Sequence, residues 1–278
     1  MRSNVEHLRF WISERERIHK ARQLKQSPPW TDDPILAAYR FCNVRREHDK
    51  VTQWIAEFWR EGKATQRSFV AALVLARMLN NPECLKELGY PGFWDSPDLE
   101  ERLKARRARG AKILNAAYVI TTCGERMDKI DYIMRVCTNV YYHDFEARAG
   151  EKLSSFHARL MGIRGLGQFL AAQVVADMKN TQGCSLTSAP DWWSWAAPGP
   201  GSLKGLAMVL GVSKISPSQF LQRATELKSQ IPEANCLCMQ DFQNCLCEIS
   251  KYLRAYNGSG KPKQRYFARQ DGAEVRVP

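Results

Sequence analysis

The sequence predicts an all-α fold, and three observations carry that prediction. Apolar residues recur at helical spacing along most of the 278 residues. Stops rich in proline, glycine or asparagine separate the periodic stretches. Only one short segment, Asn115–Thr122, reads as extended. Hydrophobic residues make up 44%, aromatics 10% and charged residues 25%, an ordinary globular balance that excludes disorder for most of the length. No apolar run is long enough to cross a membrane, and the first residues, Met1-Arg2-Ser3-Asn4, lack the apolar stretch of a secretory leader. No membrane partner is expected.

The elements follow in order. Leu8, Trp11, Ile12, Ile18 and Leu24 sit among many charges, so Val5–Leu24 is an amphipathic helix. Pro28-Pro29-Trp30 stops it. Thr31-Asp32-Asp33-Pro34 supplies an N-cap and a first-turn proline for a helix over Ile35–Phe41. A longer helix is predicted over His48–Arg60. The next, Thr65–Leu79, ends at Asn80-Asn81-Pro82. Asp98–Arg109 becomes strongly basic toward its end, with Lys104, Arg106, Arg107 and Arg109. Further helices fit Lys129–Val140, Leu153–Leu160, Phe169–Lys179, Leu203–Leu210, Pro217–Lys228 and Met239–Tyr256. The basic tail 257–278 reads as extended. With no internal repeat or clear linker, residues 1–278 read as one helical domain, with room for two lobes.

Charge narrows the partner class. Lys and Arg number 41 against 29 Asp and Glu, a net charge of +12, which favours polyanions such as nucleic acid or phosphorylated small molecules. The clustered Arg106, Arg107 and Arg109 suit phosphate contacts or simply a solvated helix face. The nine cysteines are odd in number and scattered, as expected of reduced thiols in a cytosolic protein. Cys236-x-Cys238 and Cys245-x-Cys247 have poor zinc-ribbon spacing, so no metal site is predicted. Gly258-Ser259-Gly260-Lys261 mimics the end of a nucleotide-binding P-loop. The earlier glycine is replaced by Ala255 and the hydroxyl residue by Pro262, so no P-loop is present.

The most informative local motif is Met161-Gly162-Ile163-Arg164-Gly165-Leu166-Gly167-Gln168-Phe169-Leu170-Ala171. Two glycines permit a tight turn and close backbone approach. The following helix start presents free N–H groups suited to a phosphate. Arg164, Gly165, Gly167 and Gln168 are therefore DNA-binding candidates; an ordinary glycine-capped helix corner is the alternative. The hairpin resembles that of the helix-hairpin-helix DNA glycosylases, which flip a nucleotide out of the duplex. That resemblance implies an aspartate beyond the hairpin, for which Asp191 and Asp177 are candidates, and admits a monovalent cation at the turn. Phe169 stands where bifunctional members have a lysine, and the iron–sulfur cysteine pattern is incomplete after Cys247.

A wider resemblance covers nearly the whole chain. It rests on Pro29-Trp30-Thr31-Asp32-Asp33-Pro34-Ile35-Leu36, on Phe41-Cys42-Asn43-Val44-Arg45-Arg46-Glu47-His48-Asp49-Lys50-Val51-Thr52-Gln53-Trp54, and on Ala117-Tyr118-Val119-Ile120-Thr121-Thr122. Asp191-Trp192-Trp193, Pro198-Gly199-Pro200-Gly201-Ser202-Leu203-Lys204 and Leu246-Cys247-Glu248 follow in order. These segments are similar to the alpha-glutamyl/putrescinyl thymine pyrophosphorylases of tailed phages, the amino acid:DNA transferases. That family shares its helical fold with 5-hydroxymethyluracil DNA kinases and, distantly, with DNA glycosylases. One departure is Lys50, where an arginine is expected; the charge stays but the planar fork is lost.

The resemblance implies an enzyme that replaces pyrophosphate with an amine on a thymine-like base, in the cytoplasm of an infected bacterial host. Its partners would be DNA containing pyrophosphorylated 5-hydroxymethyluracil and a free amino acid or polyamine. No organic cofactor is implied, because the substrate is already activated. A pyrophosphate leaving group calls for cations, and Arg45, Arg46, Lys50 and Lys204 lie in the motifs. An ammonium nucleophile must lose a proton, for which Asp49, Asp177 and Asp191 are candidates. Asn43 and Gln53 can read a base edge or a carboxylate. In a continuous helix Arg45, Asp49 and Gln53 would share one face. The same set could equally be a buried network that holds helices together. Thr121 and Thr122 join the substrate set through their motif. Gly199 and Gly201 could cradle a phosphate, and Trp192 could stack a flipped base or belong to the core. Two other functions stay open: a glycosylase acting on a modified base, and a DNA-binding module without chemistry.

Overall fold

The computed structural model describes residues 2–115, 120–143, 145–262 and 264–266. Among them the chain forms α1 (Asn4–Gln23), α2 (Pro34–Ala38), α3 (Lys50–Ile55), α4 (Phe69–Leu79), α5 (Pro82–Leu88) and α6 (Ser96–Ala108). It continues with α7 (Lys129–Tyr142), α8 (Leu153–Met161), α9 (Gln168–Lys179), α10 (Pro200–Leu210), α11 (Phe220–Ser229) and α12 (Met239–Tyr256). No strand occurs among the described residues, so the fold is all-α. Part of the extended segment expected at Asn115–Thr122 lies outside the described residues, as does most of the tail. None of the described helices is long and apolar enough to cross a membrane.

The chain divides into two compact units. The first takes the described residues of Met1–Asp49 and Trp193–Pro278. Its longest helix, α1, starts at a capping box: the Glu6 N–H donates to Ser3 Oγ at 3.2 Å and the Ser3 N–H to Glu6 Oε2 at 2.6 Å. Leu8, Trp11, Ile12 and Ile18 are buried, as their spacing predicts, whereas Leu24 is exposed. They join Phe220, Phe242, Leu246, Ile249 and Leu253 in one core. Gly201 and Gly205, one turn apart, let the backbone of α10 come up against α12. A Cβ at Gly205 would overlap the Leu246 carbonyl, and one at Gly201 the Cys247 sulfur.

Asp33 caps α2 as predicted, its Oδ1 accepting the Ile35 and Leu36 N–H groups at 3.0 and 2.8 Å. The helix stops at Ala38 instead of Phe41. The next residues turn extended to pair with the segment after α12: the Arg40 N–H donates to Gln264 O, and the Tyr266 N–H to Ala38 O.

The second unit is Lys50–Trp192. Its centre is α4, with all eleven residues buried. A helix apolar on every side belongs inside, and this one packs against α7 and α9. Burying an aliphatic side chain there contributes about 1.5–3 kcal/mol before entropy is counted. The single helix expected over His48–Arg60 is instead a 3-10 turn at Arg46–His48, then α3, then a π-helical turn at Ala56–Arg60. Asp49 breaks it with ψ 133°.

Candidate functional site

In the first unit, the loop between α2 and the 3-10 turn is held from two sides by buried and half-buried side chains. Arg15 on α1, 7% exposed, donates to the carbonyls of Cys42 and Phe41, each at 3.2 Å, and to Asn43 Oδ1 at 3.1 Å. From α12, Glu248 accepts the Cys42 N–H at 3.2 Å, Asn244 donates to Asn43 O at 2.9 Å, and Asp241 accepts the Arg46 N–H at 2.9 Å. Asn43 closes the loop on itself by donating Nδ2 to His48 O at 2.7 Å. Both polar ends of its amide are thereby engaged, one by Arg15 of α1 and the other by the His48 carbonyl, so Asn43 helps to shape the loop. Burial, and then the neighbouring Arg22, lower the Arg15 pKa from its usual value, while Glu248 acts in the opposite direction.

His48 stacks on His19, with ring centroids 4.1 Å apart and planes at 9°. Burial, then the neighbouring His48, Arg15 and Arg22, lower His19 to a pKa of about 4. Arg45 lies beside Glu16 at 3.5 Å and donates to the carbonyl and sulfur of Cys236, at 3.1 and 2.9 Å. Arg46 is half-buried and Asp49 is exposed. The shared helical face expected for Arg45, Asp49 and Gln53 is not formed. Arg45 and Asp49 have ψ of 131° and 133°, and only Gln53 is within an α-helix.

The same unit holds the proline–glycine turn at the start of α10. The Gly199 N–H is taken by Ser202 Oγ at 2.9 Å, and Ser202 Oγ donates back to Gly199 O at 3.0 Å. Gly201 faces Cys247, where an added Cβ would overlap the sulfur. Lys204 is exposed.

In the second unit, Asp177 is 0% exposed. Arg77 grips it with two donors at 2.6 and 2.5 Å, and Arg60 stands 3.5 Å away. Arg77 also donates to Thr52 at 3.2 Å. This buried pair ties α4 to α9. Arg77 is the signal the sequence carried for it: one charge in an otherwise apolar helix needs a buried counter-charge.

Asp191 has another position. Its two oxygens accept the N–H groups of Leu153 and Ser154 at 2.6 and 3.0 Å, capping α8 from 37–38 residues away. Lys152, the local cap residue, gives no side-chain cap, so a distant carboxylate supplies it. Trp192 is half-buried. Its indole N–H donates to Lys179 O at 3.1 Å, and the Lys179 ammonium lies 4.0 Å from its ring centroid. Lys50, Gln53 and Thr121 are exposed, and Thr122 donates to Glu125 O at 2.8 Å.

The glycine turn joins α8 to α9 in this unit. Gly165 has φ +102°, and a Cβ there would come within 2.5 Å of Val136 and 2.9 Å of the Tyr132 hydroxyl, so only glycine fits. Ile163 and Leu166 are buried beneath the turn. Gly167 caps α9 without a side chain, while Arg164, Gln168 and Phe169 are exposed. Arg164 pairs with Glu125 at 3.1 Å. The basic end of α6 is less available than its composition suggests. Arg106 and Arg109 share Glu87, and Arg107 meets Asp128 at 2.6 Å. The cations there are largely spent on carboxylates of the same unit.

The chain matches the family model described as 5-hmdU DNA kinase, helical domain, over residues 3–261. A curated relative, the 5-hmdU DNA kinase of Bacillus phage SP10, is 23% identical over 283 aligned residues. The alignment covers 88% of this chain and 44% of the relative, so the chain spans under half of that protein's length. No solved structure matches.

Proposed function

The chain belongs to the family of the 5-hmdU DNA kinase helical domain, and on that premise we propose that it hypermodifies hydroxymethyluracil-type bases in phage DNA. The proposed reaction displaces pyrophosphate from the 5-methylene carbon of such a base by an amine, from an amino acid or a polyamine. The carbon–nitrogen bond forms as the carbon–oxygen bond breaks. The ammonium proton goes to a carboxylate, and the electron pair leaves on pyrophosphate. The observation that supports the reading is the family match along residues 3–261, taken with the motifs, such as Asn43–Asp49, that resemble the amino acid:DNA transferases. Chemistry on an already activated base needs no organic cofactor.

Within this reading the residues separate by environment. Asp177 is enclosed by guanidinia and Asp191 caps α8 with both oxygens, so Asp49, exposed, is the carboxylate assigned to accept the proton. Arg45, Arg46, Lys50 and Lys204 are the cations assigned to developing negative charge. The held loop at Asn43–Asp49 would keep Arg45, Arg46 and Asp49 in place before substrate arrives. The α8–α9 turn would grip DNA, its open helix start and Arg164 facing phosphate.

A second reading has its own support: the family model is a helical domain, and Asp177 and Asp191 are both engaged in structural contacts. Under it, the chain positions modified DNA and performs no transfer. The deciding experiment incubates the protein with DNA containing pyrophosphorylated 5-hydroxymethyluracil and a pool of amino acids and polyamines, then analyses nucleosides by mass spectrometry. An amine adduct with pyrophosphate released is the expected result. Intact nucleoside despite DNA binding would favour the positioning domain, and base loss without adduct a glycosylase.

A further inference from the structure

The α8–α9 turn packs beside the turn that precedes α7. Tyr132 on α7 joins them: its hydroxyl donates to Cys123 Sγ at 3.1 Å, and lies 2.9 Å from where a Cβ at Gly165 would stand. The turn before α7 is closed by two hydrogen bonds. The Glu125 N–H donates to Thr122 O at 3.0 Å, and Thr122 Oγ1 donates to Glu125 O at 2.8 Å. The Glu125 side chain then stands between two guanidinia. Its Oε2 meets Arg135 of α7 at 2.6 Å, and its Oε1 meets Arg164 of the α8–α9 turn at 3.1 Å.

The partners are unequally covered. The Glu125 side chain is 20% exposed, against 41% for Arg135 and 76% for Arg164. Oε1 is itself a buried atom with no hydrogen-bond partner among the described residues, so charge alone holds Arg164 to it. Arg135 lies over the Tyr132 ring, 5.3 Å from its centroid. One anion with an oxygen on each of two guanidinia is an arrangement that a phosphodiester, with two non-bridging oxygens, also satisfies. The next carboxylates along the chain do not oppose such a ligand. Asp128 is paired with Arg107 at 2.6 Å and Asp131 with Lys104 at 2.8 Å, while Arg126, adjacent to Glu125, is exposed.

We propose that Glu125 keeps the place of a DNA backbone phosphate between Arg135 and Arg164, and that a duplex displaces it on binding. The proposal rests on the reading of the α8–α9 turn as a DNA grip. It adds Arg135 as a second phosphate contact and Glu125 as an internal competitor. Gly167, three residues after Arg164, caps α9 without a side chain, so the helix start lies close to the same phosphate path. Solvent-exposed ion pairs are weak, so exchanging the carboxylate for a phosphate costs little. The site is independent of the amine-transfer chemistry.

The test is a fluorescence-anisotropy titration of an unmodified labelled duplex at several salt concentrations, which needs no transferase activity. Arg135→Ala and Arg164→Ala should each weaken binding and reduce the slope of log affinity against log salt by about 0.9, the mark of one lost phosphate contact. Glu125→Gln should tighten binding by about 1.4- to 5-fold, the worth of an exposed ion pair. In an Arg135→Ala/Arg164→Ala background the same change should do nothing. An equal gain there would show a general charge effect and overturn the proposal, as would weaker binding in Glu125→Gln alone. Inorganic pyrophosphate should compete no better than its ionic strength explains; competition abolished by the double arginine variant would assign the pair to a free anion instead. Duplex binding that Gly165→Ala weakens and Arg135→Ala leaves unchanged would overturn the proposal and spare the DNA-grip reading. A wild-type chain that binds no duplex would overturn both.

Discussion

Asp177→Asn separates a structural aspartate from a chemical one. The substitution keeps the shape of the side chain, so it opens no cavity; it removes only the charge. Left behind are Arg77, 1% exposed, and Arg60, 4% exposed, with their shared carboxylate gone. Breaking a buried pair by removing one partner costs about 3–5 kcal/mol. A chain of this size loses about 2–4 °C in melting temperature per kcal/mol, so a fall of about 6–20 °C is expected. Thermal unfolding followed by circular dichroism reads it directly. Replacing both partners, Asp177→Leu with Arg77→Met, should recover part of the loss, with Arg60 limiting the recovery. A wild-type melting temperature in Asp177→Asn, together with abolished turnover, would refute the structural assignment and return Asp177 to the proton-transfer step.

Other outcomes follow from the same contacts. Asp191→Ala should cost about 1–2 kcal/mol by uncapping α8 and should speed hydrogen exchange at the Leu153 and Ser154 amides. Asp191→Asn keeps an acceptor and should lose only about 0.3–1 kcal/mol, so a large loss of adduct formation in that variant marks a chemical role. Gly205→Ala should destabilise by about 1–3 kcal/mol or more in urea titrations, because the added methyl overlaps the Leu246 carbonyl; neighbouring Lys204→Ala should be nearly neutral. Gly165→Ala should unfold the α8–α9 turn locally and weaken duplex binding while leaving first-unit amides protected.

The His19 pair makes a pH prediction with a definite sign. Its folded pKa, about 4, lies below the ordinary value of 6.5, so the unfolded chain binds the extra proton first. The contribution is fully present above pH ~6.5 and is lost as pH falls toward 4. Urea midpoints measured across that window should fall less steeply for His19→Phe than for the wild-type chain.

Much of the fold was legible in the sequence because local physics decides it. The stripe Leu8–Trp11–Ile12–Ile18, the Asp33-Pro34 helix start and the span Met239–Tyr256 depend on spacing and capping, and all appear as read. The glycines between α8 and α9 stand out by their pattern, and Gly165 is required by its backbone angle and by Val136. The family motifs marked Asn43–Asp49 as a segment of interest without revealing how it is held.

What tertiary structure alone decided is the assignment of each polar side chain. The helix expected across Asp49 gives way there, directly after a loop whose backbone at Cys42–Arg46 is held by Arg15, Glu248, Asn244 and Asp241, all distant in sequence. Asp177 and Asp191 looked alike as carboxylates near a hairpin. One is enclosed by two arginines, and the other caps a helix that begins 38 residues earlier. Gly201 lets α10 approach Cys247, a contact that its motif does not announce. Helical periodicity is a property of neighbours along the chain. A charge finds its partner only through space, where the cost of leaving it buried and unpaired outweighs any local preference.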